Sequence, residues 1–293
     1  RTRSRQPRAL PASELSALGS IHVERVVPGG RGFARAADGK PIFLRGGLPG
    51  DRVVLASAFD RGSYFEGNVA RVVEPSAERT VPRCGYLERC GGCDWMALDA
   101  GAQRSWKRHL VEEAMVRTGG FSAATLPLER EVRFVDTSDG YRVRARLQVR
   151  GGRVGFFAEG SHDLIEVMGC SVLVPELRAW VERVRVAVAR APAEFTDVEF
   201  VEVRALPDAG VSGAAQPRSS KEKSSVFVSV RAGGRSPRRS VFEELERDAC
   251  IRFAGEAEAY EQAYFVTDET FVLVPVGGFC QVNAGVNRGI VGR

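Results

Sequence analysis

The chain has 293 residues, of which 44% are hydrophobic and 27% charged, and its formal net charge is +5. A chain of this length exceeds a typical single domain and predicts two or three units with separate cores. No apolar run approaches the ~18 residues of a membrane-spanning helix, and the basic N-terminus lacks the apolar centre of a signal peptide. We therefore expect a cytoplasmic monomer without a membrane partner.

The positive charge is concentrated at the N-terminal end. Residues 1–83 hold 14 Lys and Arg against 8 Asp and Glu, whereas the rest of the chain holds 28 against 29. An arginine-rich module beside a neutral body indicates a polyanionic partner such as RNA, although a solvated basic surface explains the same count. Residues 1–19 are predicted to be a disordered lead-in, and the missing initiating Met suggests a record that is incomplete at this end.

Residues 20–76 are predicted to form a small β-barrel. Five short β-rich runs are separated by turns rich in Gly, Pro and Asp. Such a pattern suits an OB-like barrel, a fold that commonly binds single-stranded nucleic acid. The segment GGRGFARAADGKPIFLRGGLPGDRV resembles the TRAM module of RNA-modifying enzymes. The candidate RNA contacts, each of which could instead be a core aromatic or a solvated cation, are Arg31, Phe33, Arg35, Lys40 and Phe43.

Four cysteines indicate a metal centre. Cys84, Cys90 and Cys93 have the spacing Cys-x5-Cys-x2-Cys, and Cys170 follows after 76 intervening residues. Four thiolates suit either an iron–sulfur cluster or structural Zn²⁺. The five-residue gap differs from the paired short knuckles of a zinc ribbon and favours [4Fe–4S], while zinc stays open. Disulfides need an oxidising compartment, which nothing in the sequence indicates.

Residues 77–272 are predicted to form a central α+β domain around this cysteine loop. One helix is expected from Asp99, its N-cap, to Thr118, and a second from Pro175 to Ala191. The expected strands, identified by alternating or β-rich composition, cover residues 141–150, 153–159, 164–170, 199–207, 225–233 and 263–276.

The strand at 141–150 has an arginine-rich face. The period of two places Arg142, Arg144, Arg146 and Arg150 on one side and apolar residues on the other. This face is a candidate for RNA phosphate contacts. An ordinary solvated face whose arginines pair with acids explains the pattern equally well.

Together with the C-terminal run GGFCQVNAGVN, these motifs resemble the bacterial RNA uracil-C5-methyltransferase family over residues 20–293. The narrower resemblance is to the 23S rRNA branch, which carries a TRAM module and a [4Fe–4S] cluster. It implies that the four cysteines ligate the cluster, that GYRVRAR (140–146) matches the family's YR-x-R-x-R strand, and that Gln281 contacts S-adenosylmethionine. It also implies a 23S rRNA partner and, at residues 273–293, the start of a Rossmann-like class I methyltransferase domain.

The family's chemistry is covalent: a cysteine thiolate adds to C6 of uracil, C5 accepts the methyl group, and a carboxylate removes the C5 proton. Neither group occupies its family motif before Arg293, and Cys250 and Cys280 are interpreted as buried thiols. We therefore expect a truncated record, no catalytic residue in this chain and no methyl transfer by the chain alone.

Two alternatives to the methyltransferase fit parts of the sequence. One is a non-catalytic RNA-binding protein with TRAM and an iron–sulfur or zinc site. The other is a radical methylthiotransferase, which needs Cys-x3-Cys-x2-Cys and a C-terminal TRAM, and the sequence has neither.

Overall fold

Two units make up the computed structural model, which describes residues 7–122, 124, 140–205, 226–243, 249–253, 261–265 and 271–275. The first unit comprises Arg1–Glu88 and Cys93–Arg133, and the second comprises Arg89–Gly92 and Phe134–Arg293. In the part of the chain that is described, no helix has both the length and the apolar character needed to span a bilayer.

A seven-stranded mixed sheet forms the body of the first unit. Its strands run in the order β1-β6-β7-β5-β4-β3, with β2 also paired to β6. Only the β5–β7 pair is parallel among these pairings. The strand bounds are β1 Arg8–Ala9, β2 Ile21–His22, β3 Arg25–Val26, β4 Gly32–Arg35, β5 Pro41–Arg45, β6 Arg52–Asp60 and β7 Phe65–Glu74.

The first predicted β run, IHVERVV at residues 21–27, links two edges of this sheet. It divides into β2, where Ile21 pairs with Val53 of β6, and β3, where Arg25 pairs with Phe33 of β4. The ladder of strands therefore returns to its starting edge and encloses one core, lined by Ile21, Val23, Ala34, Ile42, Leu44, Val53, Leu55 and Ala58. All five predicted runs form strands, so the sheet-rich N-terminal region is confirmed, while the TRAM assignment stays a prediction.

The prediction of a disordered lead-in is wrong from Arg8 onward. Strand β1 pairs with the end of β6, Arg8 opposite Asp60, and helix α1 (Ala12–Ala17) follows it. Apolar side chains of this segment pack against the sheet core, which explains the order; they are Leu10, Leu15 and Leu18. Residues 1–6 lie outside the described residues.

Helix α2 (Ala100–Arg117) begins at the predicted N-cap, since the Asp99 carboxylate accepts a hydrogen bond of 2.9 Å from the Ala102 amide. Its first turns pack in a small cluster with Leu48 and Leu98. The helix therefore lies in the first unit and not in a central domain beginning at residue 77. Along one side of the helix, Trp106 and Leu110 are half-buried and Ala114 is exposed.

The second unit is a six-stranded sheet in the order β10-β9-β8-β11-β12-β13. Only β12 and β13 pair in parallel. The bounds are β8 Arg144–Arg150, β9 Arg153–Phe157, β10 Leu164–Ile165, β11 Val198–Ala205, β12 Val226–Ala232 and β13 Ala249–Phe253. A hairpin of β14 (Glu261–Phe265) and β15 (Phe271–Pro275) forms a separate two-stranded sheet.

Helix α3 (Pro175–Arg190) and one side of this sheet form the second core. Pro175 occupies the first turn, as predicted, because its missing N–H is not needed there. Buried side chains of the helix, which include Leu177, Trp180 and Val184, meet the apolar face of β8 and β11. The buried residues of that face include Leu147, Val149, Val201 and Val203. Short 3₁₀ helices at Pro192–Phe195 and Arg239–Phe242 add Phe195 and Phe242. The predicted strands at 141–150 and 164–170 are shorter in the structure.

Candidate nucleic-acid interface

Three aromatic side chains form a row in the first unit. The rings of Phe33 and Phe43 meet edge to face at 5.8 Å, and Phe43 meets Tyr64 in the same manner at 5.2 Å. The guanidinium of Arg25 lies 4.5 Å from the centre of the Phe33 ring, and that of Arg35 lies 5.3 Å away. Phe33 is only 6% exposed, so its ring supports cations and is not an open surface for a base.

The candidate cations of this unit already contact acids or carbonyls. Arg31 is 3.1 Å from Glu66 and Lys40 is 2.8 Å from Asp60. Arg35 donates to the Gly39 carbonyl at 3.2 Å while its side chain stays 55% exposed. Arg35 also lies 4.0 Å from a carboxylate oxygen of Glu24, which is the longest of the three ion pairs, so Arg35 is the most available of the three cations.

These ion pairs hold their carboxylates in the charged form. Hydrogen bonds from Arg61 and then Arg31 keep the pKa of Glu66 below its ordinary value. The ammonium of Lys40, followed by the backbone amide of Gly62, has the same effect on the pKa of Asp60. At neutral pH these two carboxylates therefore remain charged beside their cations.

Helix α2 is fastened to the aromatic row through one carboxylate. Both oxygens of Glu113 accept from Arg25, at 3.1 and 2.9 Å, and Arg117 adds a bond of 2.8 Å. The hydrogen bond from Arg117, with the charge of Arg25, holds the pKa of Glu113 below its usual range. Arg25 thus stacks on Phe33 and holds the helix at the same time.

The segment after Cys93 lies against the β3–β4 turn of the first unit. The indole N–H of Trp95 donates to the Gly30 carbonyl at 3.1 Å. Gly30 has φ +81°, and a Cβ at this position would lie 2.7 Å from the Cβ of Asp94. Glycine is therefore required twice, for its backbone conformation and for the close approach of Asp94. Cys84 begins a turn in which the Leu87 amide donates to its carbonyl at 3.3 Å.

The other two predicted ligands belong to the second unit. Cys90 forms an isolated bridge with Ala158, and the next amide, that of Gly91, donates to the Phe157 carbonyl at 3.0 Å. A Cβ on Gly91 would approach the backbone of Glu159 to 3.0 Å, so a side chain here would push against this strand contact. Cys170 packs partly against the core of the same unit.

The chemistry of the four thiols suits a thiolate-ligated centre. None of these four cysteines is in a disulfide, and each is half-buried. Among the residues described, no three His, Cys, Asp or Glu side chains come close enough to hold a metal ion. Iron–sulfur and zinc ligation therefore both stay predictions. Gln281 and Cys280 lie outside the described residues, and Cys250 lies in β13.

One buried carboxylate collects the arginines of the second unit. Glu202 of β11, whose side chain is 8% exposed, is 2.7 Å from Arg144 and 3.2 Å from Arg204. Arg146, directly across the β8–β11 ladder, is 3.6 Å away. The strand alternates as predicted, with Arg144, Arg146 and Arg150 opposite the apolar face. Arg142 instead precedes β8 and forms a bridge with Leu173. Three guanidinium groups around one carboxylate leave a local excess of positive charge.

Three members of this cluster were not singled out from the sequence. Phe200, Glu202 and Arg204 alternate along β11, and the ring of Phe200 lies 4.3 Å below the guanidinium of Arg146. The signal was present in the run EFVEVRA, where the period of two places an aromatic, an acid and a base on one face.

No family model matches the chain. The 23S rRNA (uracil(1939)-C(5))-methyltransferase RlmD of Chromohalobacter salexigens is 33% identical over 290 residues, covering 92% of this chain and 57% of the relative. The RlmD of Pectobacterium carotovorum is 29% identical over 294 residues, 98% of this chain and 61% of the relative.

A solved structure supports the same fold. The Pyrococcus abyssi tRNA (uracil-54, C5)-methyltransferase, in complex with S-adenosyl-L-homocysteine, superimposes with a TM-score of 0.59 at 16% identity. The match covers 91% of this chain and 62% of that structure. The chain thus spans about three fifths of the length of the proteins that it matches. Over the length that it shares with these relatives, it belongs to the RNA uracil-C5-methyltransferase family.

Proposed function

We propose that this chain provides RNA recognition in an S-adenosylmethionine-dependent methyltransferase that acts on C5 of a uridine in 23S rRNA. The observation that carries the proposal is the arginine cluster of β8 and β11. Three guanidinium groups, those of Arg144, Arg146 and Arg204, share the single carboxylate of Glu202. The support for ribosomal RNA comes from the names of the relatives, which align with almost the whole chain.

A polyanion is the partner that this electrostatic arrangement fits. Cations on the protein displace condensed counterions from a nucleic acid, which makes affinity fall with rising salt. The aromatic row of the first unit, with Arg35 exposed beside it, supplies a second surface of mixed aromatic and cationic character. Such mixtures are typical of proteins that bind unpaired RNA. We further propose the predicted TRAM role for this unit and a cytoplasmic location for the protein.

The binding experiment uses the 293-residue chain and an unmodified 23S rRNA fragment that contains unpaired uridines. We expect log K to fall linearly with log salt, with a slope of about −2 to −3, as ~3 to 4 phosphate contacts to single-stranded RNA predict. A transfer RNA and a duplex RNA of equal length are the competitors. Binding that is insensitive to salt, or preference for either competitor, would contradict the proposal.

The finer proposal concerns the four cysteines. Their support is the thiol-only donor set, free of disulfides, and the loop whose glycines admit a close backbone approach at Gly91. When bound, an iron–sulfur cluster would be ligated by Cys84, Cys90, Cys93 and Cys170. Anaerobically purified protein should then contain about four iron atoms per chain, and Cys90→Ser should lose them. Cys250→Ser is the matched control that should retain them, and stoichiometric zinc without iron would overturn this assignment.

A further inference from the structure

Arg146 differs from the other arginines of the β8–β11 cluster because it faces outward. Its side chain is 52% exposed, whereas those of Arg144 and Arg204 are 19% and 3% exposed. Arg144 and Arg204 take the short contacts with Glu202, so the carboxylate reaches Arg146 only at 3.6 Å. Among the residues described, Arg146 makes no hydrogen bond of its own.

The guanidinium of Arg146 is nevertheless held in place from below. Its Cζ lies 4.3 Å from the centre of the Phe200 ring, the distance of a cation stacked on an aromatic face. Phe200 pairs with Gln148, and so lies diagonally across the ladder from Arg146, where a long side chain can reach it. The ring therefore contacts the guanidinium and Glu202 lies 3.6 Å from it, while 52% of the side chain remains exposed to solvent.

We propose that Arg146, supported by Phe200, is a stacking platform for an unpaired nucleobase of the RNA. This inference rests on the proposed function and deepens it, because it assigns base stacking to a residue whose type suggested phosphate contact. A guanidinium is planar and stacks on bases as well as on aromatic rings, which an ammonium cannot do. The net positive charge of the cluster attracts the phosphates that flank the base.

Lysine is the substitution that separates the two roles. Arg146→Lys keeps the charge and removes the plane, so a phosphate contact would survive it and a stacking contact would not. Arg150→Lys is the matched control, because Arg150 lies on the same strand and face. Its guanidinium is bonded to the neighbouring Val149 carbonyl and lies 5.8 Å from the nearest ring centre, that of Phe157.

The probe is a single-stranded RNA of about 12 nucleotides with 2-aminopurine at one position, bound by the full chain. We expect Arg146→Lys to weaken binding about tenfold and to abolish the change in 2-aminopurine fluorescence that binding to the wild type causes, with the salt slope unchanged. Arg150→Lys should change affinity less than about twofold. Phe200→Leu should resemble Arg146→Lys, and Phe200→Tyr should resemble the wild type; thermal unfolding verifies that each variant is folded.

Two outcomes would overturn the platform while leaving the proposed function intact. One is wild-type affinity for Arg146→Lys together with a wild-type change in 2-aminopurine fluorescence, which shows that the positive charge alone is what binds. The other is no effect of any Arg146 or Phe200 variant on a wild-type protein that binds RNA with the expected salt slope. Failure of the wild-type chain to bind RNA at all would instead refute the proposed function.

Discussion

Replacing Asp51 by asparagine should destabilise the first unit more than any surface change. Asp51 is fully buried, and each of its oxygens accepts two hydrogen bonds. Oδ1 accepts from the Ser76 amide at 2.9 Å and from Nε of Arg79 at 2.7 Å. Oδ2 accepts from the Leu48 amide and from Nη2 of Arg79, both at 2.7 Å. The carboxylate therefore joins the β5–β6 loop to the chain that leaves β7.

The expected loss of unfolding free energy follows from the hydrogen bonds that an amide cannot accept. In either orientation, the NH₂ group of the new side chain would face one backbone N–H and one guanidinium N–H, and it accepts from neither. An orphaned buried N–H costs ~1–3 kcal/mol, and removing one partner of a buried ion pair costs ~3–5 kcal/mol. Arg79 is 23% exposed and can regain some hydration, so we take the low end, about 3 kcal/mol.

Tryptophan fluorescence can assign this loss to one unit. Trp95 and Trp106 belong to the first unit and Trp180 to the second, so a Trp180→Phe background reports on the first unit alone. With an m value of about 2 kcal/mol/M in urea, Asp51→Asn should lower the midpoint by about 1.5 M. Glu74→Gln, which removes an exposed partner of Arg52, is the control and should cost less than ~0.5 kcal/mol. A midpoint for Asp51→Asn within about 0.3 M of the parent, in a scan fitted by a similar m value, would refute the reasoning.

Two further predictions concern the same unit. Hydrogen bonds from Arg61 and Arg117 lower the pKa values of Glu66 and Glu113 in the folded state. The stability that these two carboxylates confer is therefore complete above the ordinary carboxyl pKa, and it is lost as the pH falls through the lowered values. Thermal unfolding from about pH 6 to about pH 3 should show this loss, and Glu113→Gln should flatten the profile; a profile unchanged by that substitution would contradict the assignment. Gly30→Ala should release Trp95 and shift the emission of this tryptophan to the red, since the Cβ of the new alanine would meet Asp94. The control is Gly29→Ala, where φ is +91° and the surrounding space is open, so that variant should suffer the backbone strain alone. Equal effects of the two alanines would show that the contact with Asp94 is unimportant.

The strands and helices were largely predictable because each carries a local signal. The Asp99 cap and the Pro175 start mark the two long helices, and both begin where the sequence indicates. Turn residues separate the β runs of the first unit, and the alternation of β8 is visible in its arginines. These signals act within a few residues of one another, so a single sequence contains them.

The pairing of distant residues was not predictable in the same way. Nothing near Glu113 in the sequence identifies Arg25 as its partner 88 residues away, and this contact is one reason why helix α2 belongs to the first unit. The lead-in at Arg8 is ordered for a similar reason, because it pairs with the end of β6. For the site, the period of two identified Arg146 but not the ring beneath it, since Phe200 lies on another strand.

The number of charged residues along the chain favours one RNA-binding surface, and the local geometry favours another. The excess of basic residues lies before residue 84, yet Arg31 and Lys40 are each paired with a carboxylate, so the charge they present to a polyanion is largely compensated. The remainder of the chain is nearly neutral in total, but Glu202 is shared by three arginines. Because screening limits surface electrostatics to about 8–10 Å at physiological salt, an RNA phosphate responds to the nearest uncompensated charges and not to the sum over a segment. The β8–β11 cluster should therefore contribute more to the salt dependence of RNA binding than the numerically more basic N-terminal unit, and Arg146→Gln should reduce the salt slope more than Arg31→Gln does.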